Sequence, residues 1–394
     1  MQVALLMNFI APYRVTLLEA LRDRVGALRV FISTPMERER AWEADWGSLD
    51  VVVQRNISFR GTYRDMFKFS RPLQIHLPYD TLPQLRRFRP DVVISGELGM
   101  RSLQAAIYRM LHPKVRLLIW ATLSEHSERG WGRMRHALRR FILRQADGVL
   151  VNGESGARYI AGFGLPQKRI YRINQPVDVA LFAGEPRRRP DDANTRLLFA
   201  GMLTPRKGLL LFVDCVAGWA RANPQRSLEL WWLGDGELRD ALAAADLPGN
   251  VSQRFLGHVA YSELPQFYAQ ADMLMFPTLL DEWGLIVNEA MAAGLPVLGS
   301  IYSQAVEELV EDGRTGWLFD PLQPASMRAA LDRAMAMPAA GLVTMRAAAR
   351  ARIADLTPAN AGLLIAQALE SLVSWPARDG DSRRSGSHPL PSAS

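Results

Sequence analysis

Two carboxylates, Asp281 and Glu289, flank a glycine in Asp281-Glu-Trp-Gly-Leu-Ile-Val-Asn-Glu289-Ala-Met-Ala-Ala-Gly-Leu-Pro-Val297. Glu282-Trp283-Gly284 is a poor helical run and Glu289-Ala-Met-Ala-Ala a strong one, which Gly294-Leu-Pro296 stops by removing side-chain and N–H support. The spacing predicts a glycine turn that opens a helix, and the helix itself is read over Glu289–Ala293. A helix start offers free N–H groups and a positive dipole end, which suit a phosphate. Carboxylates cannot bind that phosphate, but they accept hydrogen bonds from sugar hydroxyls. Together these features imply a ligand carrying both groups, a nucleotide-sugar.

A second cluster fits the same ligand. Gly201-Met-Leu-Thr-Pro-Arg-Lys-Gly208 follows an apolar run and precedes a helical one. Arg206 can fork two phosphate oxygens and Lys207 adds a compact charge, so the loop reads as a diphosphate clamp. Trp231-Trp-Leu-Gly-Asp-Gly236-Glu-Leu238 ends a strand in a Gly-x-Gly turn that would let a ribose or base approach the backbone. It is no dinucleotide fingerprint, because Arg239 stands where a third glycine is needed; a plain turn explains it nearly as well. Glu307 follows Gly299-Ser-Ile-Tyr-Ser-Gln304 and either touches a ribose or solvates a helix face.

In the first half, chemistry-bearing residues fall just after predicted strands. Asn8, Tyr13 and Arg14 lie in the first such loop, Glu97 in another, and Glu125-His126 in a third. These are the acceptor-side candidates, and His126 is the natural group to meet a sugar hydroxyl, although a lone histidine is more often structural. His76, His112, His136 and His258 have no metal-site spacing. The only Asp-x-Asp, Asp379-Gly-Asp381, lies in a tail read as disordered, so no metal–diphosphate bridge and no cofactor are expected.

The elements that must position these groups alternate short apolar runs with helical stretches, the mark of parallel sheets built from βα units. Strands are expected at Val3–Met7, Leu28–Ile32, Val51–Gln54 (the weakest), Asp91–Ser95, Leu117–Ala121, Gly148–Asn152 and Ile170–Ile173. The pattern restarts at Leu197–Gly201, Leu228–Gly234, Gln253–Gly257, Met273–Pro277, Pro296–Gly299 and Trp317–Phe319. The reading is α/β: two doubly wound, Rossmann-like domains facing across a cleft. Residues 1–175 form the first and 196–355 the second, joined by a turn-rich, charged linker over 176–195. Residues 356–376 form a terminal helix suited to packing back on the first domain, and 377–394 a disordered tail.

The chain has 394 residues, enough for two domains, and its 48% hydrophobic content describes a globular protein. A single cysteine, Cys215, excludes an internal disulfide and fits a reducing compartment. No apolar run reaches membrane-span length, and the first residues read as a strand and not a signal peptide. These traits predict a cytoplasmic protein. The net charge of +7 concentrates in arginines 133, 135, 139, 140 and 144, and in 187–189. Met134, Leu138, Phe141 and Ile142 interleave with the first set at helical spacing. That stretch fits a helix lying on an anionic membrane, and equally a helix with its stripe in the core and its basic face in water. No nucleic-acid signature is present.

At these residues the sequence resembles the family-4 (group 1) glycosyltransferases of the GT-B fold, most strongly from about Leu197 to Pro321. The family's acid–x7–acid motif looks matched by Asp281 and Glu289, in a tryptophan-glycine-leucine variant similar to bacterial polysaccharide enzymes. The resemblance implies a nucleotide-diphosphate sugar donor in the second domain and transfer with retention to a lipid-linked sugar or growing polysaccharide. It also implies work at the inner face of the cell membrane. It places Glu289 on the ribose, Asp281 on the transferred sugar or beside the reacting centre, the N–H groups of Gly284 and Leu285 on sugar and phosphates, and Arg206 and Lys207 on the diphosphate. Two positions depart from the pattern. Asp281 is one methylene shorter than the commoner glutamate, which makes Glu282 an alternative first acid, and Met202 replaces an arginine that Arg206 would then stand in for. A sugar-nucleotide epimerase of the same fold and a non-catalytic nucleotide-sugar-binding subunit are the alternatives.

Overall fold

A computed structural model describes residues 1–37, 44–64, 69–128, 132–184 and 194–374. The arginines at 187–189, Asp379-Gly-Asp381 and the expected tail lie outside the described residues.

The first half forms strands β1 (Gln2–Met7), β2 (Ala27–Ile32), β3 (Asp50–Val53), β4 (Asn56–Arg64), β5 (Ser70–Pro78), β6 (Val92–Gly96), β7 (Arg116–Ala121), β8 (Gly148–Val151) and β9 (Ile170–Arg172). Seven of them make one parallel sheet in the order β3-β2-β1-β6-β7-β8-β9. A sheet covered on both faces needs strands apolar on both faces, which is why these read as continuous runs. Within β1, Ala4 and Leu6 face a core completed by the helices Met100–Leu111 and Arg133–Gln145. Val3, Leu5 and Met7 face the opposite one, completed by the helices Pro12–Arg22 and Pro358–Ser374.

The second half adds β10 (Thr195–Ala200), β11 (Leu228–Leu233), β12 (Val251–Gly257), β13 (Met273–Phe276), β14 (Val297–Ser300) and β15 (Gly316–Phe319), all parallel, in the order β12-β11-β10-β13-β14-β15. In both sheets the strand order reverses beside the first strand, between β1 and β6 and between β10 and β13. Crevices at the carboxyl ends of such reversals are where open α/β sheets hold ligands.

The chain passes between the halves twice. Around the crossing, the Val177 N–H donates to the Leu356 carbonyl at 3.0 Å. The last helix, Pro358–Ser374, then lies against Pro12–Arg22, where Gly362 allows close approach to Ala20.

The strands of both sheets fall where periodicity puts them, but two local readings need correction. The hairpin β4–β5 is antiparallel and was not expected beyond the weak strand ahead of it. Its alternation is inverted: Ile57, Phe59 and Ile75 are exposed while His76 is buried, so no core-directed stripe announces it. The helix around Glu289 spans Leu285–Ala292 and begins four residues before its strongest helix formers, because Gly284 sets its start. In the basic helix Arg133–Gln145, Ile142 and Leu143 are buried, Arg139 is buried against Glu128 and Tyr159, and only Met134 and Phe141 of the stripe face outward.

A Cβ at position 362 would lie 2.9 Å from the Ala20 carbonyl carbon and 3.0 Å from the Leu21 nitrogen. Gly362→Val should therefore destabilise the fold by about 1–3 kcal/mol through overpacking, read as a lower urea midpoint. An unchanged midpoint would show that the last helix does not need this contact.

Candidate active site

The loops after β10 and β13 close over one another. The Leu279 N–H donates to the Arg206 carbonyl at 2.9 Å, and Arg206 Nη1 donates to the Leu280 carbonyl at 2.8 Å. Pro205–Lys207 is a single 3-10 turn ended by Gly208 at φ +66°. A Cβ there would sit 2.2 Å from the Pro277 carbonyl oxygen, so only glycine lets the two loops meet. That contact puts Lys207 Nζ on the Asp281 carboxylate and Arg206 Nη1 3.7 Å from it. Lys207 is 8% exposed and also lies 4.9 Å from the centre of the Phe276 ring.

Burial favours the neutral form of both partners, and for Lys207 it wins over the attraction of Asp281, drawing the ammonium below its ordinary range. For Asp281 burial is the largest single influence. The positive charges of Lys207 and Arg206, with hydrogen bonds from Lys207 and the Trp283 backbone, outweigh it and hold the carboxyl below its usual value.

Gly284, at φ +103°, begins the helix Leu285–Ala292, and no side chain caps it. A side chain at 284 would meet the Phe276 ring at 2.7 Å. Just before it, the Trp283 carbonyl accepts from Ser303 Oγ and from the Ala305 N–H at 3.1 Å. Trp283 Nε1 donates to Asn288 Oδ1 at 2.9 Å, and Asn288 Nδ2 donates to the Gln175 carbonyl at 2.7 Å, which pins this helix to the chain between domains. Glu289, 6% exposed, accepts from the Tyr268 hydroxyl at 2.8 Å. Burial pushes its carboxyl up to about 7, with the tyrosine hydrogen bond opposing. Gly201 and Gly236 border this region: the Leu203 N–H donates to the Asp235 carbonyl at 2.9 Å, laying the β11 turn beside the β10 loop. Arg206, Lys207 and Asp281 thus share one place with Gly284 and Leu285, and Glu289 sits further along the same helix. Met202 is 53% exposed and takes no part in that cluster.

Across the cleft, Glu97 lies just beyond β6 and accepts from Thr122 Oγ1. It is open to water yet crowded by protein, and that crowding raises its carboxyl above the usual range. Thr122 and Arg14 pull it down; the negative charges of Glu282 and Glu128 push it further up. Glu282 belongs to the second domain, so the two halves of the cleft sense each other here. Arg14 lies over the Trp120 ring at 5.2 Å, with Tyr13 beside it in the first helix. Asn8 Oδ1 accepts from Arg101, which also donates to Ser33 Oγ at 2.8 Å.

His126 stands at the domain boundary, its ring edge-on to Tyr302 at 4.9 Å. Tyr302 in turn accepts from the Asp281 N–H at 3.2 Å. Glu125 and Glu307 are both held by Arg158, each at 2.8 Å, and Gln304 Nε2 donates to the Leu123 carbonyl at 2.9 Å. In this conformation Glu307 bridges domains. Sequence reasoning missed Tyr268, Thr122, Arg158 and Asn288; of these only Asn288, a lone amide inside an apolar run, carried a local signal. Among the described residues no cluster of three or more His, Cys, Asp or Glu could hold a metal ion.

Comparison with known proteins matches this arrangement to a family. Residues 10–174 fit the "Glycosyl transferase 4-like domain" and residues 194–337 the "Glycosyl transferases group 1" domain. The chain belongs to the group 1 glycosyltransferases. Among relatives of this family, the glycogen synthase of Mycobacterium tuberculosis is 28% identical over 281 residues, 68% of this chain and 66% of that protein. The D-inositol 3-phosphate glycosyltransferase of Pseudarthrobacter chlorophenolicus is 27% identical over 316 residues, 73% and 74% of the two chains. The chain spans just under two thirds of the glycogen synthase and 51% of the sulfoquinovosyl transferase SQD2 of Arabidopsis thaliana. The glycosyltransferase fold, GT-B, is shared with Anabaena HepE in complex with UDP, at TM-score 0.69, 17% identity, and 94% and 100% of the two chains. It is shared too with the lipopolysaccharide outer core galactosyltransferase WaaB, at TM-score 0.71, 15% identity, and 94% and 99%.

The raised Glu289 carboxyl has a consequence for stability. Its folded value near 7 lies above the ordinary 4.5, so between those values the native state binds more protons than the unfolded chain. Stability therefore falls as pH rises through that window, by on the order of 3 kcal/mol for this group. In the ligand-free protein, Glu289→Gln should raise the melting temperature at about pH 8 and leave it nearly unchanged at about pH 5. Equal shifts at both would show that Glu289 is charged throughout.

Proposed function

We propose that this protein is a retaining, metal-independent glycosyltransferase that moves a sugar from a nucleoside-diphosphate donor to a hydroxyl of a lipid-linked sugar or polysaccharide. The observation that carries the reading is the meeting of Lys207 and Arg206 with Asp281 beside the uncapped helix start at Gly284. The diphosphate lies against the two cations and the first N–H groups of the helix, including that of Leu285. Glu289 takes the ribose hydroxyls, whose donated hydrogen bonds favour its charged form. Gly201 and Gly236 border the nucleotide. Solved relatives of this fold in complex with UDP and with UDP-glucose support a nucleotide-sugar donor.

The transferred sugar sits between Asp281, Glu282 and His126. Its bond to the leaving phosphate breaks while the acceptor oxygen bonds the same face of the anomeric carbon, and the acceptor proton passes to a leaving phosphate oxygen. The cations and the helix start stabilise the charge that grows on the diphosphate, more in the transition state than before it. Metal independence is part of the proposal, with Lys207 and Arg206 in the role of counter-charge. The acceptor enters past Asn8, Tyr13, Arg14, Glu97 and Glu125, and Glu307, through Arg158, aligns the two domains.

The decisive experiment is a thermal-shift screen of UDP-, GDP-, ADP- and dTDP-sugars, followed by product analysis with the donor that stabilises. Selective stabilisation and transfer with retained anomeric configuration are expected. No stabilisation by any of the four, or free epimerised donor as product, overturns the reading. Lys207→Met should lower turnover about 10²-fold or more.

We place the enzyme at the inner face of the cell membrane, with the helix Arg133–Gln145 as its contact. Met134 is 88% exposed there, and Arg133 and Arg140 share the exposed surface. Among the described residues no helix is long and apolar enough to cross a membrane. Co-sedimentation with vesicles of anionic lipid should be lost in an Arg133→Glu, Arg140→Glu double variant; equal binding to neutral vesicles would count against this placement.

A further inference from the structure

Glu97 holds a backbone conformation that its residue type disfavours. Only two non-glycine described residues have positive φ: Arg89, at +54°, where left-handed geometry ends a helix, and Glu97, at +65°. Nothing of that kind explains Glu97, which follows a strand. A side chain in this region carries strain and persists where the surroundings over-determine it, commonly at functional sites.

The surroundings do so here. The Glu97 N–H donates to the Trp120 carbonyl at 2.9 Å, its own carbonyl accepts from Ser102 Oγ, and one carboxylate oxygen accepts from Thr122 Oγ1. Glycine would adopt this turn without strain, so the turn itself does not require a glutamate. What the glutamate adds is a carboxylate at the carboxyl ends of β6 and β7, within the electrostatic reach of Glu282 on the donor-side domain.

Taking the cleft as the sugar-transfer site proposed above, we propose that Glu97 binds the attacking hydroxyl of the acceptor, and that the acceptor presents an uncharged sugar ring at this point. Thr122 occupies one carboxylate oxygen and leaves the other to accept from a hydroxyl. The charge around it selects against anions. Glu97 itself, Glu282 and Glu128 bring three negative charges, and Arg14 and Arg101 offset two of them. A phosphate or a uronic carboxylate brought here would meet net repulsion, whereas a sugar hydroxyl donates favourably.

The test uses the full chain, the nucleotide-sugar that stabilises it, and a panel of octyl glycosides beside their phosphorylated and uronic counterparts. The wild type should glycosylate neutral glycosides in preference to charged ones. Glu97→Gln should lose about 10²-fold in transfer while its thermal shift with UDP stays at the wild-type value. Glu97→Gly, freed of strain, should melt no lower than the wild type and still lose transfer. Preference for the charged acceptors, use of no neutral glycoside, transfer retained in Glu97→Gly, or a UDP shift lost with transfer in Glu97→Gln would each overturn the proposal. Failure of UDP or any donor to stabilise the wild type would instead strike the donor-site reading, and so separates the two.

Discussion

The contact between Lys207 and Asp281 is the constraint on which the rest of the site depends. Both side chains are largely removed from water, and removing one partner of such a pair leaves a buried charge at a penalty of about 3–5 kcal/mol. The pair also fixes the two loops at the strand-order reversal of the second sheet, since Lys207 reaches Asp281 only because Gly208 lets its loop touch Pro277. Before any anion arrives, Asp281 is the counter-ion that keeps a cation poised in a dry place. On the function proposed above, an entering diphosphate shares that cation with Asp281.

Charge is distributed unevenly between the two walls. On the second domain, Lys207, Arg206 and the helix start at Gly284 present positive potential to whatever lies between β10 and β13. On the first, Glu97 and Glu128 present negative potential, tempered by Arg14 and Arg101. Arg158 ties the walls together by holding Glu125 from one and Glu307 from the other. These exposed pairs contribute little stability in water and are screened by salt. Their value lies in geometry: they can break and re-form as the domains shift, whereas the buried Lys207–Asp281 pair cannot.

What was legible in the sequence follows from how local each feature is. Parallel strands buried on both faces leave apolar runs, so both sheets could be read, and the β10 loop and the Asp281–Glu289 stretch carry their chemistry in consecutive residues. The start of the helix at Leu285 was misplaced because helix propensity points to Glu289-Ala-Met-Ala-Ala, while the start is set by a glycine conformation that propensity does not encode. Tyr268 meets Glu289 from 21 residues away, and Arg158 meets Glu307 from 149. Such partners are chosen by packing, and no spacing reveals them. The hairpin β4–β5 escaped for a different reason: its apolar face points outward.

The shorter first acid gains a physical account from this geometry. A carboxylate at 281 has to reach Lys207 and Arg206, and Asp281 does so while its own N–H is fixed to Tyr302 and its loop to Arg206. Glu282, next along the chain, exerts its charge on both Lys207 and Glu97, so it lies between the cationic wall and the acidic one. The adjacent acids therefore act on different neighbours. Asp281 pairs with the buried cation, and Glu282 adds negative charge felt at both Lys207 and Glu97. Arg206, anchored on the Leu280 carbonyl, adds its charge to the Asp281 side, so the loop after β10 carries two cations there while Met202 faces solvent.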